Sequence, residues 1–222
     1  MIPAYQAGAT VRDVVSGIQA AAPDAVVYVI DDGSTDATAT LAQAAGATVE
    51  SLGRNRGKGA ALAAGIGRAL DAGAGIIVTL DADGQHPPAL LPRLIGPVAS
   101  GVADMVLGAR ARSGDMPWGR RFTNWISATV ASRLGRVRVP DAQTGYRVFT
   151  RHVALSVRTA ARAYVRYDYE AAFLLAALRA GHQVVSVEIP TIYPAGPGSH
   201  FRQWGDGWRV ARVFARYILG AA

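Results

Sequence analysis

The sequence predicts an α/β fold with a mainly parallel, Rossmann-like sheet, and three observations carry that expectation. Apolar runs alternate with helical patterns along the first half of the chain. Charged residues stand at the carboxyl ends of those runs: Asp31 and Asp32, Asp81 and Asp83, and Arg110. In open α/β sheets ligands bind beyond those ends. The 222 residues contain no linker, so one domain is expected, with an elaborated second half.

The elements follow in order. "AVVYVI" (Ala25–Ile30) reads as a strand, and Ser34–Ala45 as a helix opened by Ser34, Thr35 and Asp36. "ATVES" is a shorter strand, followed by a Gly-rich entry into a helix from Gly59 to Ala72. "GIIVTL" is a strand, Pro88–Ser100 a helix, and "DMVLGA" (Asp104–Ala109) a strand. Beyond Arg110, "ARSGDMPWG" is a polar loop and Arg120–Leu134 a helix. "GYRVF" and "QVVSVEIP" are strands on either side of a helix at Asp168–Ala180. "PAGPGSHFRQWGDG" is a long loop, and Trp208–Leu219 closes the chain as an amphipathic segment with Arg209, Arg212 and Arg216.

Composition narrows the chemistry. Half the residues are apolar and 18% are charged, a globular balance. There are no cysteines, which excludes disulfides, thiolate metal sites and cysteine nucleophiles. No run approaches the ~18 apolar residues of a spanning helix. The opening "MIPAY" is not a signal peptide, so a cytoplasmic location is the expectation. A net charge of +7 favours an anionic partner: nucleic acid, an acidic lipid surface or a phosphorylated substrate.

The most informative stretch is "IIVTLDADGQHPP", where a buried strand runs into two acids one residue apart. One reading is a turn with incidental acids. The other is a hard divalent cation, because magnesium is held by one or two carboxylates together with substrate phosphates. "VIDDGSTDAT" is a second acid cluster at a strand end. Helix capping accounts for Ser34, Thr35 or Asp36 but not for Asp31 and Asp32, and Asp32 can accept from a base or a ribose. "GRNRGKGAAL" is not a nucleotide-triphosphate loop, since only three residues separate Gly53 from Gly57 and Gly59 follows Lys58. Its Arg54, Arg56 and Lys58 can still face an anion at a helix start.

The ordered set "IPAYQ", "VIDDGSTDAT", "RNRGKGAAL", "TLDADGQHPP", "VLGAR", "DAQTGYRVF" and "GSHF" resembles the family 2 glycosyltransferases of GT-A fold, most of all the polyprenyl- and dolichyl-phosphate sugar synthases. The resemblance spans nearly the whole chain. It implies a nucleotide-sugar-binding half (1–110) and an acceptor-binding half (111–222). It implies a donor pocket of Pro3, Tyr5, Ile30, Asp32, Asp81, Ala82, Asp83 and Arg110, closed by His200 and Arg202. It makes Asp81, Asp83 and Gln85 the ligands of Mg2+ or Mn2+, and Asp83, Arg110 and Asp141 the catalytic group. Arg120, Asn124 and Arg147 would hold the acceptor phosphate, with Gln143 directed to the same pocket. The implied partners are a GDP- or UDP-linked sugar, a lipid phosphate and an anionic membrane surface at the inner face of the cell membrane, and no nucleic acid.

Two departures stand out. Relatives carry a hydrophobic strand before the "PAY" turn, whereas this chain has only Met1 and Ile2, so either the true start lies upstream or the first strand is truncated. Gln6 and Ala7 replace the Asn-Glu that often follows the Tyr, weakening one nucleotide contact. The family inverts the anomeric centre by direct displacement. An ionised phosphate acceptor needs cations rather than a base, and Arg110, Arg120, Arg121 and Arg147 favour it. A hydroxyl acceptor would need a base, with Asp141, Asp168 and Glu170 available. An inactive peripheral membrane protein of the same fold is the rival from another class, and the intact acid pair argues against it. A nucleotidyltransferase would carry a Gly-rich basic signature near its start, which "MIPAYQAG" is not.

Overall fold

A computed structural model describes residues 1–110, 118–190 and 203–218, the side chains of 118–123, 203–208 and 218 excepted. One three-stranded parallel sheet runs β1 (Ile2–Ala4), β2 (Tyr28–Asp31), β3 (Thr48–Ser51). A second sheet has the order β4-β6-β5-β7, formed by β4 (Ile76–Thr79), β5 (Met105–Arg110), β6 (Arg147–Thr150) and β7 (Val184–Ile189). Strand β6 is antiparallel to both β4 and β5, while β5 and β7 are parallel. The two sheets meet at Met1, whose nitrogen donates to Val78 O at 2.9 Å and whose carbonyl accepts from Leu80 N at 3.2 Å. The first strand is short, as the sequence implies, but it is buried and bonded on both sides. Met1 thus links the two sheets through these two bonds.

Helices cover the sheets by burying one stripe each. In α1 (Val11–Ala21), Val11, Val14, Val15 and Ile18 are buried at the i, i+3, i+4, i+7 spacing of an amphipathic helix. Helix α2 spans Thr38–Ala44, four residues shorter at its start than the sequence suggests. The polar residues expected to cap it are used in loop bonds: Ser34 Oγ accepts from Gln6 N (2.9 Å), and Asp36 accepts from Gly8 N (2.9 Å) and Thr38 N (3.0 Å). Helix α3 (Lys58–Asp71) buries Leu62, Ile66 and Leu70. A short 3-10 turn (Pro88–Leu90) leads into α4 (Leu91–Ala99).

The second half adds α5 (Trp118–Gly135), α6 (Arg151–Ala161), α7 (Asp168–Arg179) and α8 (Gln203–Ile218). Helices α1 and α6 lie where no element was expected, and α8 begins inside the stretch expected to be loop. Helix α7 is buried almost all round, with Phe173 against Phe149 of β6 at a ring separation of 4.9 Å. Helix α8 buries Val210, Val213, Phe214 and Tyr217 and exposes Arg209, Arg212 and Arg216. Val213, Phe214 and Tyr217 thus pack on the domain rather than facing outward with the arginines, and Trp208 lies outside the described side chains. Helix α5 differs, leaving Trp125 54%, Ile126 40% and Leu134 43% exposed.

The antiparallel strand matters most for the site. Because β6 runs against its neighbours, its first residue, Arg147, pairs with Thr79 and Leu107 near the carboxyl ends of β4 and β5. The loop before β6 therefore arrives at the same sheet edge as Asp81, Asp83 and Arg110. Helix α3 approaches that edge closely, since a Cβ on Gly59 would lie 2.6 Å from Tyr169 Cβ and 2.7 Å from Arg166 O. Gly59→Ala should therefore cost ~1–3 kcal/mol by overpacking. Gly67→Ala, one face round the same helix with nothing within 4 Å, should be neutral or stabilise by up to ~1 kcal/mol. Urea unfolding of the two variants, compared at unchanged m, measures both.

Candidate active site

A cleft of about 640 Å³, open to solvent, lies at the carboxyl ends of β4 and β5. Asp81, Asp83, Gln85 and Arg110 all line it, as the sequence reading expects. The turn that aims the acids depends on Gly84, whose φ of +73° is a left-handed conformation that glycine adopts without strain. Asp83 accepts from Gln85 N at 3.0 Å, and Thr10 Oγ1 fixes the peptide between the acids by donating to Ala82 O at 2.6 Å. Gly145, from the loop before β6, presses its backbone on the Asp81 carboxylate so closely that a side chain there would overlap it.

Positive charge faces the acids. Lys58 Nζ is 2.7 Å from Asp81 and 3.1 Å from Glu170, and lies 5.5 Å from the centre of the Tyr167 ring. Burial opposes charge on Lys58, but the two carboxylates outweigh it and raise its pKa. Burial likewise opposes charge on Asp81, and Lys58 overcomes it to hold the carboxyl below the usual range. Asp83 is raised, first by burial and then by repulsion from Asp81. Glu170 is also raised by burial, only partly relieved by Lys58. His86 is buried beside them with neither ring nitrogen bonded, tilted over Tyr146 at 5.5 Å, and burial lowers its pKa.

Arg110 is held in a two-pronged pair: Nε donates to Asp141 Oδ2 at 2.7 Å and Nη2 to Oδ1 at 3.1 Å. Asp141 is 1% exposed and also accepts from Gln143 N. It holds Arg110 in place from behind the cleft wall. Arg147 is turned inward as well. Its buried guanidinium donates to Thr144 O (2.8 Å), Glu170 O (2.6 Å) and Ala142 O (3.1 Å). It ties the loop to α7.

The remaining expected residues are distributed as follows. Asp32 accepts from Arg56 N (2.7 Å) and Gly57 N (2.8 Å), anchoring the start of α3; burial, and then Asp31, raise its pKa. Ile30 is fully buried and Pro3 is buried in β1, so their side chains face the core, while Tyr5 is half-buried just beyond that strand. Gln6, expected to leave a nucleotide contact weakened, donates to Thr35 Oγ1 and accepts from Thr35 N and Asp36 N, tying two loops together. Asn124 sits on α5 with its buried Oδ1 unbonded. The Arg120 side chain, His200 and Arg202 lie outside the described residues. Asp168 accepts from Arg166 N. Lys58, His86 and Tyr167 are the cleft residues with polar side chains that were not assigned to the site in advance. The basic helix entry was the signal for Lys58, but nothing local distinguished the other two.

The acids and their surroundings suit a hard divalent cation. The carboxylate oxygens are its usual donors, and the ammonium on Asp81 shows that the pocket recruits positive charge. Among the described residues no three His, Asp or Glu side chains form a cage of their own.

Comparison with known proteins decides the family. Residues 1–161 match the model described as "Glycosyl transferase family 2". The chain belongs to that family. This family 2 glycosyltransferase is 31% identical over 199 residues to the polyprenol monophosphomannose synthase of Mycolicibacterium smegmatis, covering 85% of this chain and 75% of that one. It is 28% identical to the undecaprenyl-phosphate mannosyltransferase of Micrococcus luteus, covering 85% and 81%. In fold it is similar to the glucosyl-3-phosphoglycerate synthase of Mycobacterium tuberculosis solved with Mn2+ and UDP-glucose. The TM-score is 0.71 at 23% identity, covering 99% of this chain and 77% of that one. The fold is thus the GT-A fold of the glycosyltransferases.

The Arg110–Asp141 pair yields a pH prediction. Burial alone would raise Asp141, but Arg110 dominates and holds it below its usual value. A depressed carboxyl contributes stability above its unfolded pKa of about 3.9, lost as pH falls through the folded value. Asp141→Asn should therefore be less stable than the wild type at neutral pH, with the difference shrinking on acidification below about pH 4. Denaturant unfolding from pH 7 to pH 3 measures it; a constant difference would show that Asp141 carries no linked charge.

Proposed function

We propose that this glycosyltransferase moves a hexose, with inversion, from a nucleoside diphosphate sugar to a polyprenyl phosphate, and that the transfer depends on Mg2+ or Mn2+. The observation that carries the reading is the meeting of an acid pair, Asp81 and Asp83, with Arg110 in one cleft at the carboxyl edge of the sheet. A divalent cation bound by the two acids would neutralise the diphosphate as it leaves. Asp81 and Asp83 would hold it, with Gln85 close enough in the cleft to join them. Arg110, oriented by Asp141, offers a fixed cation for phosphate oxygens. The relatives named for polyprenol and undecaprenyl phosphate support the acceptor class, and the complex of the structural neighbour with Mn2+ and UDP-glucose supports the cation and the donor class.

An ionised phosphate attacks without a general base, so the chain need only orient it. Asp141 and Asp168 are engaged in bonds within the protein, which suits that chemistry. One observation favours a second acceptor class: Glu170 lines the cleft with a raised pKa, the property a base for a hydroxyl acceptor would have. Transfer assays with GDP- and UDP-linked hexoses, against a polyprenyl phosphate and against hydroxyl acceptors, test both. The expected outcome is lipid-phosphate product that vanishes in chelator and falls at least ~100-fold in Asp83→Asn. Full activity in excess chelator would remove the cation from the mechanism.

No helix among the described residues is long and apolar enough to cross a membrane. We read α5 as the element that reaches the lipid, since Trp125, Ile126 and Leu134 are exposed beside the exposed Arg133, Arg136 and Arg138. The same helix contributes Ser127, which accepts from Gln143 of the cleft wall. Trp125→Ser with Ile126→Ser should weaken binding to anionic vesicles about tenfold or more, and binding should fall with salt. Equal sedimentation of variant and wild type with vesicles would reassign the surface.

A further inference from the structure

Lys58 occupies the position that the proposed cation would need. Its ammonium is 2.7 Å from Asp81, inside contact distance for any ion that the carboxylate is to bind. The two partners differ in freedom. Asp81 is backed closely by Gly145, where an added Cβ would overlap its carboxylate. Lys58 is the first residue of α3, where Asp32 fixes the preceding backbone at Arg56 and Gly57, but its ammonium is carried on a flexible four-carbon stem.

A second acceptor is already in reach. Glu170 Oε1 is buried 3.1 Å from Nζ, yet it forms no well-directed hydrogen bond. Its main chain is held by Arg147 through the carbonyl at 2.6 Å. Glu170 therefore stands as a carboxylate on an anchored backbone, with unused accepting capacity within reach of the ammonium.

We propose that Lys58 is the resident counter-ion of the acid pair, displaced from Asp81 by the divalent cation and received by Glu170. The inference rests on the metal-dependent function proposed above and adds an exchange step to it. In the cation-free enzyme Lys58 keeps Asp81 paired in its mostly buried setting. Loading moves the ammonium by a side-chain rotation, with no shift of α3. Glu170 is a positioning residue that acts through Lys58. The exchange makes lysine and cation rivals for one carboxylate, so each weakens the other by the same factor.

Binding of Mn2+ alone, read from the paramagnetic resonance of the free ion without any nucleotide, tests this directly. Lys58→Met should bind Mn2+ about tenfold or more tighter than wild type, whereas Lys58→Arg, which keeps a cation there, should stay within about threefold. Glu170→Gln should weaken Mn2+ in the wild-type background and change it less than about twofold in Lys58→Met, the signature of action through the lysine. Lys58→Gln supplies the same comparison should the methionine variant fold poorly, with circular dichroism as the control. Mn2+ binding that requires Asp81 and Asp83 but is equal or weaker in Lys58→Met and Lys58→Gln would overturn the exchange alone. No Mn2+ binding by any variant, even with UDP present, would overturn it together with the function on which it rests.

Discussion

Two carboxylates one residue apart at the end of a strand repel each other, and partial burial strengthens the repulsion. The site is arranged around that constraint. Asp81 is pressed by the Gly145 backbone on one side and neutralised by Lys58 on another. Among the described residues Asp83 forms no ion pair, and its pKa rises through burial and repulsion from its neighbour. A cation arriving beside it would relieve that repulsion.

The surrounding scaffold keeps these charges in register. Asp32 fixes the start of α3 through two backbone N–H groups and so places Lys58. Arg147 ties the loop at Ala142 and Thr144 to the main chain of α7 at Glu170, and so places the loop wall and Glu170 together. Both are buried charges used on backbone groups. An unpaired buried guanidinium would be costly, and three carbonyls meet most of its donors.

The fold was legible because its signal is local: apolar runs, turn residues and charged strand ends mark the elements of an α/β sheet. The acids at 81 and 83 and the arginine at 110 were legible for the same reason. Roles that depend on distant partners were not. Nothing near Arg147 in sequence announces that Glu170 O will accept from it, and a charged residue in a motif reads as a ligand contact until its partners are seen. Asp141 is a like case, since its partner is the backbone and side chain of Arg110, 31 positions earlier. Helix α8 and helix α5 both pair arginines with apolar residues. Only packing shows that α8 spends its apolar face on the domain, while α5 leaves Trp125 and Ile126 in solvent.

Among the described residues two cations, Lys58 and Arg110, line the cleft, and their chemistry divides the work. Arg110 is planar and held at two points by Asp141, with Nε and Nη2 both committed. A guanidinium so fixed supplies charge at one place throughout a reaction. Lys58 carries a point charge between two carboxylates that belong to different elements, Asp81 after β4 and Glu170 on α7. An ammonium has no preferred plane, so it can change partner without losing hydrogen-bond geometry. A lysine at 110 would lose the two-point anchor on Asp141. The placement of a two-point-anchored cation at the end of β5 and a point charge on the acid pair follows from which carboxylates each helix and loop brings within reach.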